Sequence, residues 1–403
     1  MKVDFEDLGL AEQLLRRQAV EHVPAMRQHL SQWGQLDASD LGLILQGLQP
    51  LNVALLDSGD KILDTVGQVY GLGAEKMANT LDAYITVERE AHNRIKELAA
   101  QMGASVGPYK DPRDTMSRLG GAVDGAGSFY GQGGDPNLFV QAFQDGYRAG
   151  EWLRDMPGKL EARGKDAVSS DRGVVEQVDV QSFLVAPTAS ESEIEDLRWN
   201  AGWLLGGLDW LCEQLIGFSL LEEIVFKPFA GDYKAVQKAS GVWAMTADAM
   251  QGISQNTSGM LPALSEWVGK GALTFNATAA AVAQVDTVLA NAASAVASVL
   301  KAFALLVRTI AIAIGKILRL ISYKLARMAA EAMIPVAGWV AAGIEAVALV
   351  GEILDSVKMA YTIVNMAYDF ISNMVEVKAG LVDSWMQAMD LVEALVRGGA
   401  ARL

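Results

Sequence analysis

The sequence predicts an almost entirely α-helical protein, and three observations carry that prediction. Apolar residues recur every three or four positions over long stretches, glycine and proline gather at a few boundaries between them, and no segment alternates like a half-buried strand. The first helix is expected from Glu6 to Trp33, with Leu10, Leu14, Val20, Val23, Met26 and Leu30 on one face, a kink at Pro24 and an end at Trp33-Gly34. After a turn-rich stretch from Gln35 to Pro50, a second helical pattern runs to about Met102 through Val53, Leu56, Ile62, Val66, Val69, Met77, Leu81, Ile85, Ile95 and Leu98. Two long helices with a short connection should lie antiparallel.

The pattern then changes. Ser117 to Asn137 is glycine-rich without helical period, and the chain to about Ser182 is charged with short helical pieces such as Leu138 to Met156, which reads as a linker of mixed order. Ser190, three residues before Glu193, makes a capping box that opens a second helical block, closed at Lys227-Pro228. Gly231 to Gln255 forms the next helix. A turn around Gly259, Pro262, Trp267 and Gly269 leads into a very long helix from about Lys270 to Met333, and a final hairpin breaks at Pro335 to Gly338 and continues to about Val396. The expected organisation is a helical hairpin at 1–104, a linker at 105–189, a second hairpin at 190–330 and a helical region at 331–403.

Composition narrows the function. Ten prolines and 51% hydrophobic residues leave no room for a mainly disordered chain. A net charge of −15 repels phosphate backbones and argues against nucleic-acid partners. Cys212, the single cysteine, cannot form an internal disulfide. The segment MKVDFEDLGLAEQL is acidic where a secretory peptide would be basic and then apolar, so any export is expected to use a signal-peptide-independent route.

Chemical motifs are sparse. Gly103 to Gly107 matches the G-x-S-x-G elbow, which needs a strand before Ser105; a charged helix precedes it instead, so a helix C-cap is expected. The glycines from Gly120 to Gly134 lack the Lys-Ser/Thr ending of a phosphate loop. His22, His29 and His92 have no metal-ligand spacing, and Cys212 sits in a Trp- and Leu-rich helix as a small hydrophobe. No nucleophile, base and orienting group assemble, so no enzyme activity, cofactor or metal is expected.

One stretch carries charge of a single sign. Between Asp286 and Glu331 the charged residues are Lys301, Arg308, Lys316, Arg319, Lys324 and Arg327, set opposite Ile310, Ile314, Ile317 and Ile321. Either acidic helices of the same chain neutralise them or they meet an anionic membrane surface. The neighbouring apolar stretch 332–344 is too short to span a bilayer.

Trp267-Val268-Gly269, followed by Gly271-Ala272 and Phe275, resembles the WXG-like family of helical hairpins exported by bacterial type VII (ESX) secretion. Gly231-Asp232, Ala239 and Trp243 resemble the first helix of the longer modules in actinobacterial effectors, so the resemblance covers about Ser190 to Leu325. The first hundred residues look similar to a sister group of type VII targets, with Trp33-Gly34 near the turn but without the intervening residue of W-x-G. The resemblance implies a Y-x-x-x-D/E signal, which Tyr84 and Glu88 match late in the second helix. Tyr147 and Glu151 match too, and nine tyrosines among 48 acids make chance pairs common.

On this resemblance the chain is expected to be a non-enzymatic secretion substrate or effector scaffold, secreted or at the cell surface, and otherwise cytoplasmic. Trp33, Tyr84 and Glu88 would form an export face, while Trp267, Gly269 and Phe275 would shape the second hairpin. The implied partners are a helical-hairpin protein or chaperone and the secretion ATPase. Two other readings stay open: a membrane-active protein using 301–351, and an intracellular helical structural protein.

Overall fold

Helix α1, Phe5–Arg17, begins at Asp4, whose carboxylate accepts the Glu6 amide at 2.9 Å and the Asp7 amide at 3.3 Å. Glu6 and Asp7 in its first turn and Arg16 and Arg17 in its last suit the helix dipole. The computed structural model describes residues 4–37, 46–123, 127–130, 173–188, 233–332, 351–369 and 371, except the side chains of 325–332. Among these residues 81% are helical and none lies in a strand, so the all-α class is correct.

The disturbance expected at Pro24 takes the form of a π turn, Gln18–His22, closed by a bond from the Val23 N–H to the Gln18 carbonyl. Pro24 has no N–H to give to the carbonyl four residues earlier, and the widened turn absorbs that loss before α2, Val23–Trp33, resumes. Gly34 ends α2 at an ordinary helical φ of −83°. Its side chain is excluded by crowding: a Cβ there would stand 2.6 Å from the Leu30 carbonyl oxygen and 2.8 Å from Leu56. The Asn52 side chain donates to the Gly34 carbonyl at 3.1 Å and pins the turn to α3, Gln49–Gln101. With 53 residues, α3 is about 80 Å long. It ends in a Schellman arrangement, with Gly103 at φ +75° and the Ala104 N–H bonded to the Ala99 carbonyl.

The second hairpin pairs α4, Tyr233–Met260, with α5, Lys270–Ala332. Small residues at the seam let the two backbones come close enough for Ser240 to donate to the Ala297 carbonyl at 2.7 Å and Ser254 to the Ala283 carbonyl at 2.6 Å. The hairpins pack on each other and share their cores. In one core Leu30, Leu51 and Leu55 meet Val236 and Trp243, and it continues along α5 to Ile321 and onto α6, residues 351–369. In the other, α1 and Ile62 to Ile85 of α3 meet Met250, Ile253, Trp267 and Phe275. Gly59 admits Trp243, since a Cβ there would lie 2.8 Å from the indole.

The described parts of 105–189 lie across these helices, held by side chains that satisfy extended backbone. Asp248 accepts the Phe129 and Tyr130 amides at 2.7 and 3.0 Å and the Ser128 hydroxyl at 2.6 Å. Asn256 accepts the Gln177 and Val178 amides and donates to the Val178 carbonyl. Buried Glu176 meets Arg17, and His22 Nε2 stands 2.6 Å from its Oε1. Burial pushes the Glu176 carboxyl up, but the His22 and Arg17 contacts outweigh it and hold it below its ordinary value.

Candidate functional site

The turn between α4 and α5 is built from a short 3-10 helix, Ala263–Glu266, then Trp267 in extended conformation and Gly269 at φ +135°. An L side chain rarely adopts that φ, so glycine here serves the backbone and not the space around it, which is open. The reversal turns the Trp267 ring inward onto Phe275, with ring centroids 5.7 Å apart. Both rings are buried, at 6% and 7% exposure.

The indole reaches the first hairpin. Trp267 Nε1 donates to Tyr84 Oη at 3.1 Å, joining residues 183 positions apart. Tyr84 is half-buried, and Glu88 is exposed one turn further along α3, with Tyr109 Oη 3.5 Å from its carboxylate. Tyr84, Trp267 and Phe275 therefore share one patch, Gly269 shapes the turn beside it and Glu88 borders it. Trp33 stands apart, 40% exposed at the end of α2. It lies beside the Gly34–Leu56 contact, roughly 40 Å of helix from Tyr84.

A polar pocket opens beside Trp267, bordered by Asp4, Asp7, Gly173, Ser265 and Glu266. Burial, joined by the neighbouring acids, raises the Asp7 carboxyl, while its bond from the Val174 amide lowers it. An apolar pocket lies further along the interface, lined by Leu15, Val69, Tyr70, Lys76, Phe275 and Val282. At its base Tyr70 Oη donates to Asp286 Oδ2 at 2.5 Å and lies 2.7 Å from Thr257 Oγ1.

The remaining sequence motifs fall into structural roles where they are described. Ser105 follows the Gly103 cap of α3 and has no strand before it. His22 contacts Glu176, His92 Nε2 lies 3.1 Å from the Gly107 carbonyl oxygen, and burial lowers the His29 pKa. Among the described residues, no three His, Cys, Asp or Glu side chains are placed to hold a metal. The Ile310, Ile314, Ile317 and Ile321 face is buried, and Lys324 pairs with Glu352 at 2.9 Å. Lys316 and Arg319 are exposed, while Lys301 and Arg308 each have an interaction partner. Cys212, Tyr147, Glu151, the Ser190–Glu193 box, the Lys227-Pro228 stop, the Pro335 break and the Arg327 side chain lie outside the described residues.

Sequence reasoning missed Glu176, Asp248, Asn256 and the Tyr70–Thr257–Asp286 group. Asp286 alone left a readable trace, as a single acid in an otherwise uncharged run from Gly271 to Leu300. No protein-family model, curated protein or solved structure matches the chain.

Proposed function

We propose that this chain is a non-enzymatic type VII secretion substrate or effector scaffold of the WXG-like kind. It is read through its helical hairpins by a partner hairpin or chaperone and by the secretion ATPase. The observation that carries the reading is the bond from Trp267 to Tyr84, because it puts the W-x-G turn and the tyrosine of Y-x-x-x-E on one surface with exposed Glu88 beside them. An export receptor reading that surface would meet a preformed edge, with the tyrosine held by the indole and the carboxylate left in water. Trp33 is too far away to belong to the same face and would serve a second contact at the opposite end of the first hairpin.

Export of tagged protein into the culture filtrate of its native host, with and without the type VII ATPase, tests this. Glu88→Ala changes an exposed side chain and is expected to keep the helical fold by circular dichroism while losing ATPase-dependent export. Equal export without the ATPase overturns the reading. So does retention in the cytosol while another substrate of the same system leaves.

A membrane reading has one observation in its favour. Lys270–Lys324 is a helix long and apolar enough to cross a bilayer, and Lys316, Arg319, Leu320 and Tyr323 near its end are exposed. Half of its most apolar stretch is already buried inside the protein, which favours the packing role. Salt-sensitive flotation with anionic vesicles would restore the membrane reading, and an intracellular structural role would follow from failed export together with failed flotation.

A further inference from the structure

Asp286 is the single ionisable residue between Lys270 and Lys301, and it is only 1% exposed. Its bond from Tyr70, and the contact of Tyr70 with Thr257, link α5, α3 and α4 in one chain of polar groups. Tyr70 and Thr257 are each also 1% exposed. This chain is a fully buried polar link between the two hairpins, separate from the half-buried bond of Trp267 to Tyr84. Its state bears on how firmly they hold together.

Among the described residues, no cation compensates the buried carboxylate. From α3 the facing group is Tyr70, whose own ionisation is pushed far up by burial; Lys76 lines the pocket alongside. From α4 it is Thr257, and no ionisable residue lies between Asp248 and Glu266. Helix α1 contributes Leu15 to the adjoining pocket, while its Arg16 and Arg17 pair with Glu12 and Glu176. Tyr130, from the strap over α4, donates to Asn291 at 2.7 Å instead of reaching Asp286. Burial is therefore opposed by the Tyr70 bond alone, and the Asp286 carboxyl is pushed up to about 7.

We propose that Tyr70, Thr257 and Asp286 form a proton-operated latch between the two hairpins, closed when Asp286 carries a proton and loosened when it ionises. A carboxyl raised in the folded state is protonated in both folded and opened forms at low pH, and no penalty arises there. As pH rises from about 4 towards neutrality, the opened form ionises freely while the closed form resists, so opening becomes easier. The stabilisation is complete below the unfolded value and lost as pH passes the folded one. Tyr84 lies 14 residues further along α3, about 21 Å from Tyr70. The latch rests on packing and not on the export reading, and its test uses no export.

Hydrogen exchange of the full chain, corrected for the intrinsic rate at each pH, reads the opening directly. Around Val66 to Tyr84, opening in the wild type should be about thirtyfold greater at pH 8 than at pH 5.5, from the difference between the unfolded and folded carboxyl. Asp286→Asn keeps an acceptor for Tyr70 and cannot ionise, so its two values should agree within about threefold. A wild type with no such rise, or an asparagine variant with the same rise, overturns the latch. The infrared band of a protonated carboxylic acid supplies a readout that needs no variant to fold. It should be present in the wild type at pH 5.5 and fade through neutrality, and its absence at pH 5.5 overturns the proposal.

Discussion

The two hairpin turns carry nearly the same letters, Trp33-Gly34 and Trp267-Val268-Gly269, and use them for opposite reasons. At the first turn the glycine has an ordinary φ and is required by crowding from Leu30 and Leu56, while the tryptophan is 40% exposed. At the second the glycine has open space and an unusual φ of +135°, and the tryptophan is buried against Phe275 and bonded to Tyr84. A tryptophan–glycine signature therefore identifies the end of a helix in both places, but a load on the fold only in one.

Substitutions at the two turns should separate accordingly. Trp267→Ala removes a buried ring and leaves Phe275 and Tyr84 facing a cavity, and we expect a loss of about 3–5 kcal/mol in denaturant-induced unfolding. Next in size, Gly269→Ala and Gly34→Ala should each cost about 1–2 kcal/mol, the first through backbone strain and the second through overpacking. Adding Leu56→Ala to each tells the mechanisms apart in a double-mutant cycle: it should relieve part of the cost at position 34 and none at position 269. The smallest effect belongs to Trp33→Ala, expected to shift stability by about 1 kcal/mol because the residue is 40% exposed where Trp267 is only 6% exposed. Equal losses at Trp33 and Trp267 would erase the contrast.

Local pattern made the helices legible and left their partnerships unread. Apolar period and breakers located the ends near Trp33 and Met102 and the start near Lys270, because those depend on neighbours in sequence. The bond between Trp267 and Tyr84 depends on how two hairpins dock, and neither residue signals the other. The glycine-rich and charged stretch from Ser117 to Ser182 read as a linker because it has no period. Its described parts are instead ordered by acceptors elsewhere, Asp248 and Asn256 on α4, which take up amides no helix or strand satisfies. Pro24 was legible as a disturbance, whereas the π turn before it follows from the geometry of a helix that keeps going.

The 63 residues of α5 run through both hydrophobic cores without a break. Such a rod fixes phase as well as position: one residue inserted near Ala293 would rotate everything beyond it by about 100° and advance it by about 1.5 Å. Trp267 and Phe275 would keep their places, while Ile310, Ile314, Ile317 and Ile321 would swing off the face they share with α6. The spacing between the two cores is thus written as a count of residues, and it tolerates substitution far better than any change in number.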